Sequence, residues 1–223
     1  MPDQQVDLAI VGLGAMGAAI AWQAAVRGLS VAGFDALAPP HASGSTHGHS
    51  RIIREAYFEH PQYVPLVQRA YALWAELEKG AGIRLFQASG GLMIGRQGQT
   101  VVEGTLRAAA EHRLPVQRWS ADDMRTRVPT LTPDRDMVGV FEPRAGVLAP
   151  ERAVGAMLDQ ARRAGAHLFL SEPVRDWTSE ADHVDVHSAG RHVRGNDSHE
   201  RQQRGDGGIG ERVAGCDTVQ ERR

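Results

Sequence analysis

The sequence predicts an α/β chain in which one domain, built from strand–helix–strand units, is interrupted by a second, strand-rich segment. Three observations carry that prediction. Residues 6–35 read as strand, glycine-rich turn, helix and strand. Residues 150–170 repeat the helix–glycine–strand order. Between the two, roughly residues 83–148 are dominated by strand signals.

The opening unit is the most specific. Asp7 to Val11 is a short apolar run and reads as a buried strand. It breaks at Gly12, Gly14 and Gly17, a G-x-G-x-x-G pattern. Ala18 to Arg27 are good helix formers, and Gly28 follows where a left-handed cap is cheap. Leu29 to Phe34 form the second strand, which ends in Asp35, 23 residues after Gly12 (35 − 12). Each part has a physical role in holding a dinucleotide. Gly12 allows the tight turn, Gly14 lets a pyrophosphate approach, and Gly17 lets helix and strand pack closely. The helix N-terminus offers free N–H groups to the phosphates, and Asp35 is placed to accept from a ribose hydroxyl.

The remaining elements follow in order. Pro39 and Pro40 forbid regular structure, and Ala42 to Ser50 reads as a polar loop. His41, His47 and His49 lie in it, but no acid or cysteine stands nearby at ligand spacing, so no metal is expected. A loop at the carboxyl end of the second strand is instead a place for cofactor or substrate. Pro61 to Lys79 is amphipathic, with Val64, Val67, Tyr71 and Trp74 on one face and Leu66, Ala70, Leu73 and Leu77 beside them. Leu92 to Gly95 predicts a strand and Thr100 to His112 a helix. Ser120 is placed to cap a short helix to Arg127. Met137 to Glu142 and Gly146 to Leu148 predict a hairpin pair around Pro143-Arg144-Ala145. Pro150 starts a helix to Arg163, Gly165 stops it, and His167 to Leu170 is a strand. Val174 begins the next segment, and His183 to His187 alternates as a strand.

Composition narrows the partners. Of the 223 residues 42% are hydrophobic and 23% charged, as in an ordinary globular protein. A net charge of −2 gives no reason to expect nucleic acid or a membrane surface. Asp3 and Asp7 precede the first apolar run, so it does not read as a secretory signal, and cytoplasm is the expected compartment. The single cysteine, Cys216, excludes an internal disulfide framework. From Arg191 onward there are seven Arg and six Gly but no Leu, Phe, Tyr or Trp, so an unordered tail is expected. The expected domains are therefore 1–82, an inserted 83–148, a return segment 149–190, and the tail 191–223.

The stretch VDLAIVGLGAMGAAIAWQAAVRGLSVAGFDALAPPHASGSTHGHSRIIREAY, followed by YVPLVQRAYALWAELE, resembles the monomeric sarcosine oxidase and N-methyltryptophan oxidase family. The carrying residues are Pro39-Pro40-His41, Ser45, His47-Gly48, Arg51 and Arg54, and FEPRAGVLAPERA fits as well. The resemblance runs from about Val6 to Gly190. It implies a Rossmann-like FAD-binding domain of glutathione-reductase type with an inserted mixed-sheet substrate domain, here truncated. Its members are FAD-dependent amine oxidases that take electrons from a C–N bond of a secondary amino acid and pass them to oxygen. By resemblance, Gly12 to Gly17 (with Leu13, Ala15 and Met16), Asp35 and Ala36 bind the ADP half of FAD, and the backbone of Val174 touches the adenine side. Ser45, Thr46 and Arg51 contact the cofactor. His47 lies by the flavin ring and tunes it together with Arg51, and Arg54 pairs with the substrate carboxylate. Thr46 stands where the family often has a first histidine.

Family members are longer, and their oxygen-activating lysine and flavin-linking cysteine fall past the point where the likeness stops. Cys216 is not that cysteine. The abrupt change after Gly190 reads as a shifted reading frame. A pyridine-nucleotide dehydrogenase would also suit residues 12–35, and a non-catalytic FAD-binding remnant is the further alternative.

Overall fold

The computed structural model describes residues 2–196. The chain divides into two compact units, Met1–His49 with Pro150–Arg223, and Ser50–Ala149. The later boundary falls within one residue of the expected one, and the earlier boundary differs. Residues 50–82 were expected with the first unit but fold with the second.

The first unit opens with β1 (Gln4–Val6) and β2 (Leu8–Val11), where a single strand was expected. Asp7 divides them. Its N–H donates to the Ser30 carbonyl at 3.0 Å and to Ser30 Oγ at 2.9 Å. Its Oδ2 accepts from Ser30 N at 2.9 Å and from Ser30 Oγ at 2.7 Å. This polar clip sends the chain from one sheet to another. β2 leads through a turn to α1 (Ala15–Ala25) and β3 (Val31–Asp35), which runs parallel to β2 with Leu8 opposite Val31. Gly28 has φ +84°, the left-handed exit expected of it. Ala18, Ala21 and Trp22 are buried on α1, and Val31, Ala32 and Phe34 on β3.

The second unit holds β4 (Arg51–Ile53), α2 (Tyr63–Ala81), β5 (Phe86–Ala88), β6 (Gly91–Arg96), α3 (Thr100–His112), β7 (Gln117–Trp119), α4 (Ala121–Arg127), β8 (Met137–Glu142) and β9 (Gly146–Leu148). The strands form two antiparallel sheets, β4-β9-β5 and β6-β8-β7. The expected hairpin of β8 and β9 does not form, because the two strands lie in different sheets. The chain turns at Glu142–Ala145 and changes sheet at Gly146. There β9 runs so close to β5 that a Cβ on Gly146 would overlap the Gln87 carbonyl. On α2, Val64 and Leu77 are buried and Val67, Tyr71 and Trp74 partly so, which is the expected face. Leu66 departs from it and is 67% exposed. Ser120 caps α4 in a full capping box with Asp123.

The chain returns through α5 (Pro150–Arg163), β10 (His167–Leu170), β11 (Val174–Ser179), β12 (His183–Ser188) and β13 (His192–Asn196). β10 joins β3 in parallel, giving the order β10-β3-β2. The other sheet has the order β1-β13-β12-β11. Val6, Ala32, Phe34, Val186 and Val193 make one buried cluster, so the two sheets share a core. β13 corrects the expected boundary at Gly190. Val193 is 1% exposed, and the strand is bonded on both sides, to β1 and β12. The low apolar content averaged over residues 191–223 concealed this one well-placed valine. The rest of the expected tail, 197–223 with Cys216, lies outside the described residues. No helix among the described residues is long and apolar enough to cross a membrane.

An ion pair ties the last two strands. Arg194 Nε and Nη2 each donate at 2.8 Å to the buried Asp185 carboxylate, one to each oxygen. These charge-assisted bonds hold Asp185 far below its ordinary value of 3.8. A depressed carboxylate contributes stability above its unfolded value and loses it as pH falls through the folded one. Asp185→Asn should therefore lower the melting temperature at neutral pH. The gap to wild type should close progressively below about pH 4, as thermal melts across about pH 7 to 2 would record.

Candidate functional site

The first unit builds a cradle at the carboxyl ends of β2 and β3. Gly12 N donates to the Phe34 carbonyl at 2.8 Å, and the turn is made with φ +90° at Gly12. A Cβ on Gly17 would fall inside the Gly12 carbonyl, so only glycine lets α1 start this close to the turn. Gly14 is the N-cap of α1. It makes no side-chain cap, and the first turn carries no acid. The positive end of the helix is thus left uncompensated by this chain's own carboxylates. Leu13 is fully buried below, Ala15 is half-exposed, and Met16 is 73% exposed. Thr46 Oγ1 lies over this start, 3.4 Å from Ala15 N.

Asp35 stands at the end of β3 and braces the turn. Its Oδ2 accepts from Leu13 N at 2.8 Å and its Oδ1 from Leu37 N at 2.9 Å, across exposed Ala36. A carboxylate has about four acceptor positions, so capacity remains for a hydroxyl. The chain then passes through the cis Pro39-Pro40 bond into the polar loop. His41 Nδ1 accepts from Ser43 N at 3.2 Å, which leaves its proton on Nε2, 3.6 Å from Asp35 Oδ1. His47 Nδ1 is 2.6 Å from the Gly44 carbonyl, an acceptor that fixes the proton on Nδ1. Gly14, Pro40, His41, Thr46, His47 and Glu151 line one open cleft. Ser45 is exposed on the same loop. Val174 opens β11 just after Glu172, whose N–H donates to the Asp35 carbonyl at 2.9 Å.

Glu151 was not legible as a site residue. It sits in the first turn of α5, and its Oε1 accepts from Gly48 N at 2.8 Å, which ties down the residue after His47. An acid at a helix start was visible in the sequence. Its partner, 103 residues earlier, carries no local signal.

The second unit carries the two arginines. Arg51 is exposed on β4, its Nη1 donating to the Ser50 carbonyl at 2.8 Å. Arg54 is placed differently, with its side chain only 16% exposed. Its guanidinium lies over the Tyr57 and Phe58 rings, 4.4 and 4.8 Å from their centroids. Nη2 donates to both oxygens of Glu59, at 2.8 and 3.1 Å. Nη1 is buried and has no hydrogen-bond partner among the described residues. A buried donor left unpaired is rare, and it is satisfied most directly by an acceptor brought in from outside. The planar fork suits a carboxylate. Glu59 was also missed, because no periodicity links it to Arg54. Beside them, burial pushes the Glu55 carboxyl above its usual range, against a lowering by Arg144. Burial likewise raises the Tyr71 hydroxyl. Among the described residues no group of three or more His, Cys, Asp or Glu could hold a metal ion.

Comparison with known proteins agrees with the cradle. The family model of FAD-dependent oxidoreductases matches residues 7–201, past the expected limit at Gly190. The monomeric sarcosine oxidase of Streptomyces avermitilis is 43% identical over 183 residues, covering 82% of this chain and 48% of that protein. The N-methyl-L-tryptophan oxidase of Yersinia pestis is 38% identical over 180 residues, covering 81% and 48%. The chain thus spans about half the length of these curated relatives. Among solved structures, NikD, an amino acid oxidase of nikkomycin biosynthesis, superposes with a TM-score of 0.74 at 27% identity, covering 86% of this chain and 50% of NikD. Glycine oxidase from Geobacillus kaustophilus gives 0.71 at 22%, covering 86% and 54%, and shares the fold. A helix start free of acids, a glycine in α1 packed against the turn with no room for a Cβ and an acid at the end of β3 are fittings that suit an adenine dinucleotide, and the match over residues 7–201 shows that this chain belongs to the FAD-dependent oxidoreductase family.

Proposed function

We propose that the chain carries the cofactor grip and the substrate anchor of an FAD-dependent oxidase of secondary amino acids. The substrate is sarcosine or another N-methyl amino acid, with oxygen as acceptor and peroxide as product. The observation that carries the reading is Arg54, whose buried Nη1 has no partner among the described residues while Nη2 is held by Glu59. The relatives named as sarcosine and N-methyltryptophan oxidases support the substrate class.

When bound, FAD would supply the redox chemistry, as the acceptor of a hydride equivalent from the carbon beside nitrogen. The residues of this chain bind and orient. The N–H groups from Gly14 to Gly17 take the phosphates, with Leu13 and Ala15 forming the wall of the turn. Asp35 takes a ribose hydroxyl beside Ala36. The backbone near Val174 borders the adenine. Ser45, Thr46 and Arg51 contact the cofactor. His47, with its proton held on Nδ1 by Gly44, offers a fixed tautomer to the ring. Arg54 receives the substrate carboxylate in its fork, and the flanking Tyr57 and Phe58 rings exclude water from the pair.

A second reading is an FAD-binding chain without turnover. Purified chain with flavin absorbance and peroxide release on N-methylglycine would decide for the oxidase. Flavin absorbance without peroxide would decide for the second reading. A nicotinamide-dependent signal without flavin would remove both.

Two variants separate the parts. A side chain at Gly14 has room, since a Cβ there comes no nearer than 3.6 Å to Thr46 Oγ1. Gly14→Asp should therefore fold, yet place a negative charge where phosphate belongs. FAD at about 100 times its dissociation constant stabilises wild type by about 2.7 kcal/mol, and the variant should lose that upward shift in melting temperature. Arg54→Gln should keep FAD binding but weaken a carboxylate ligand by about 2 kcal/mol or more, a factor of about 30. Titration with acetate, followed by the amide shifts of residues 55–58, measures it.

A further inference from the structure

We propose that Glu142 is a positioning residue for Arg54, acting through the backbone of the segment that follows it. The inference rests on Arg54 as carboxylate anchor and adds the residue that sets its place. Glu142 ends β8 and is 1% exposed. Its Oε1 accepts from Glu55 N at 2.6 Å, and its Oε2 accepts from Ala56 N at 2.9 Å. One carboxylate therefore clamps two successive amides, those directly after Arg54.

The clamped segment has little else to define it. β4 ends at Ile53, and the next regular element begins at Tyr63. Yet residues 54–59 hold the whole anchor: the guanidinium, the two rings stacked on it and the Glu59 counter-charge. An arginine that must meet a carboxylate with both donors of one edge tolerates only a small misplacement. β8 supplies a rigid base, paired to β6 at Gly91–Glu142 and to β7 further along.

The residue type argues the same way. Burying a carboxylate costs several kcal/mol unless its lone pairs are filled. In the same pose a neutral amide side chain meets one of the two N–H groups with its carbonyl oxygen and turns its NH2, a donor, toward the other. A carboxylate receives both, with charge-assisted bonds about twice as strong as neutral ones. Glu142 also leaves a signature on its neighbour, since its negative charge adds to the burial that raises Glu55. No nearby guanidinium donates to Glu142 in the described structure. The charge is spent on the backbone beside Arg54.

The test uses the full 223-residue chain loaded with FAD, and acetate as an unreactive carboxylate probe. In Glu142→Gln one of the two amide protons, at Glu55 or Ala56, should exchange markedly faster with solvent. The acetate dissociation constant should rise about tenfold, near 1.4 kcal/mol. FAD affinity should stay within about twofold, since one unit carries the FAD cradle and the other carries Glu142. Val140→Ala, fully buried on the same strand, controls for lost stability alone and should leave acetate binding unchanged. Acetate binding by Glu142→Gln equal to wild type, with Arg54→Gln impaired, overturns the positioning role and leaves the anchor standing. Equal weakening in Val140→Ala overturns it as well. If Arg54→Gln binds acetate as wild type does, or if wild type does not bind it, the anchor falls and the positioning role falls with it.

Discussion

The contact between the start of α1 and the turn before it is the constraint on which the first unit depends. Gly17 lies against the Gly12 carbonyl with no space for a methyl group. That closeness keeps the helix axis aimed at the mouth of the turn, where uncapped N–H groups collect. Asp35 then locks the geometry from the neighbouring strand by holding Leu13 N. Sheet, turn and helix are thus fixed by backbone approach, and side-chain packing of Leu13, Phe34 and Trp22 fills in behind.

The second unit solves a different problem. Its Arg54 is shielded rather than cradled, with rings on its face and the Glu59 carboxylate on Nη2. A guanidinium desolvated in this way interacts more strongly with an incoming anion than one in water does. Nη1 is left without a hydrogen-bond partner among the described residues. The first unit thus presents the uncapped N–H groups of a helix start, and the second a shielded guanidinium.

What could be read from the sequence was local chemistry. The three glycines, the acid 23 residues on, the capping serine and the face of α2 each follow from a short-range rule, and each is found where that rule puts it. Apart from Glu59, five residues from Arg54, the misses depend on partners distant in sequence. Asp7 divides the first strand only because Ser30 waits 23 residues away. β4, β5 and β7 have three residues each, too few to show alternation, and exist through pairing with strands far along the chain, β4 and β5 with β9 and β7 with β8. Glu142 and Glu151 reach back 87 and 103 residues to backbone amides, which have no identity in a sequence. Arg54 could be named by resemblance, but its shielding could not.

β4 and β9 run antiparallel, with Arg51 opposite Leu148. The second unit therefore receives the chain and releases it through adjacent strands at one edge. To the polypeptide outside, residues 50–149 behave as a closed excursion whose mouth is about one strand spacing wide, near 5 Å. Lineages could lengthen, shorten or exchange such an excursion while the flanking segments keep the same distance to bridge. The first unit can in this way be inherited intact together with many different inserted segments.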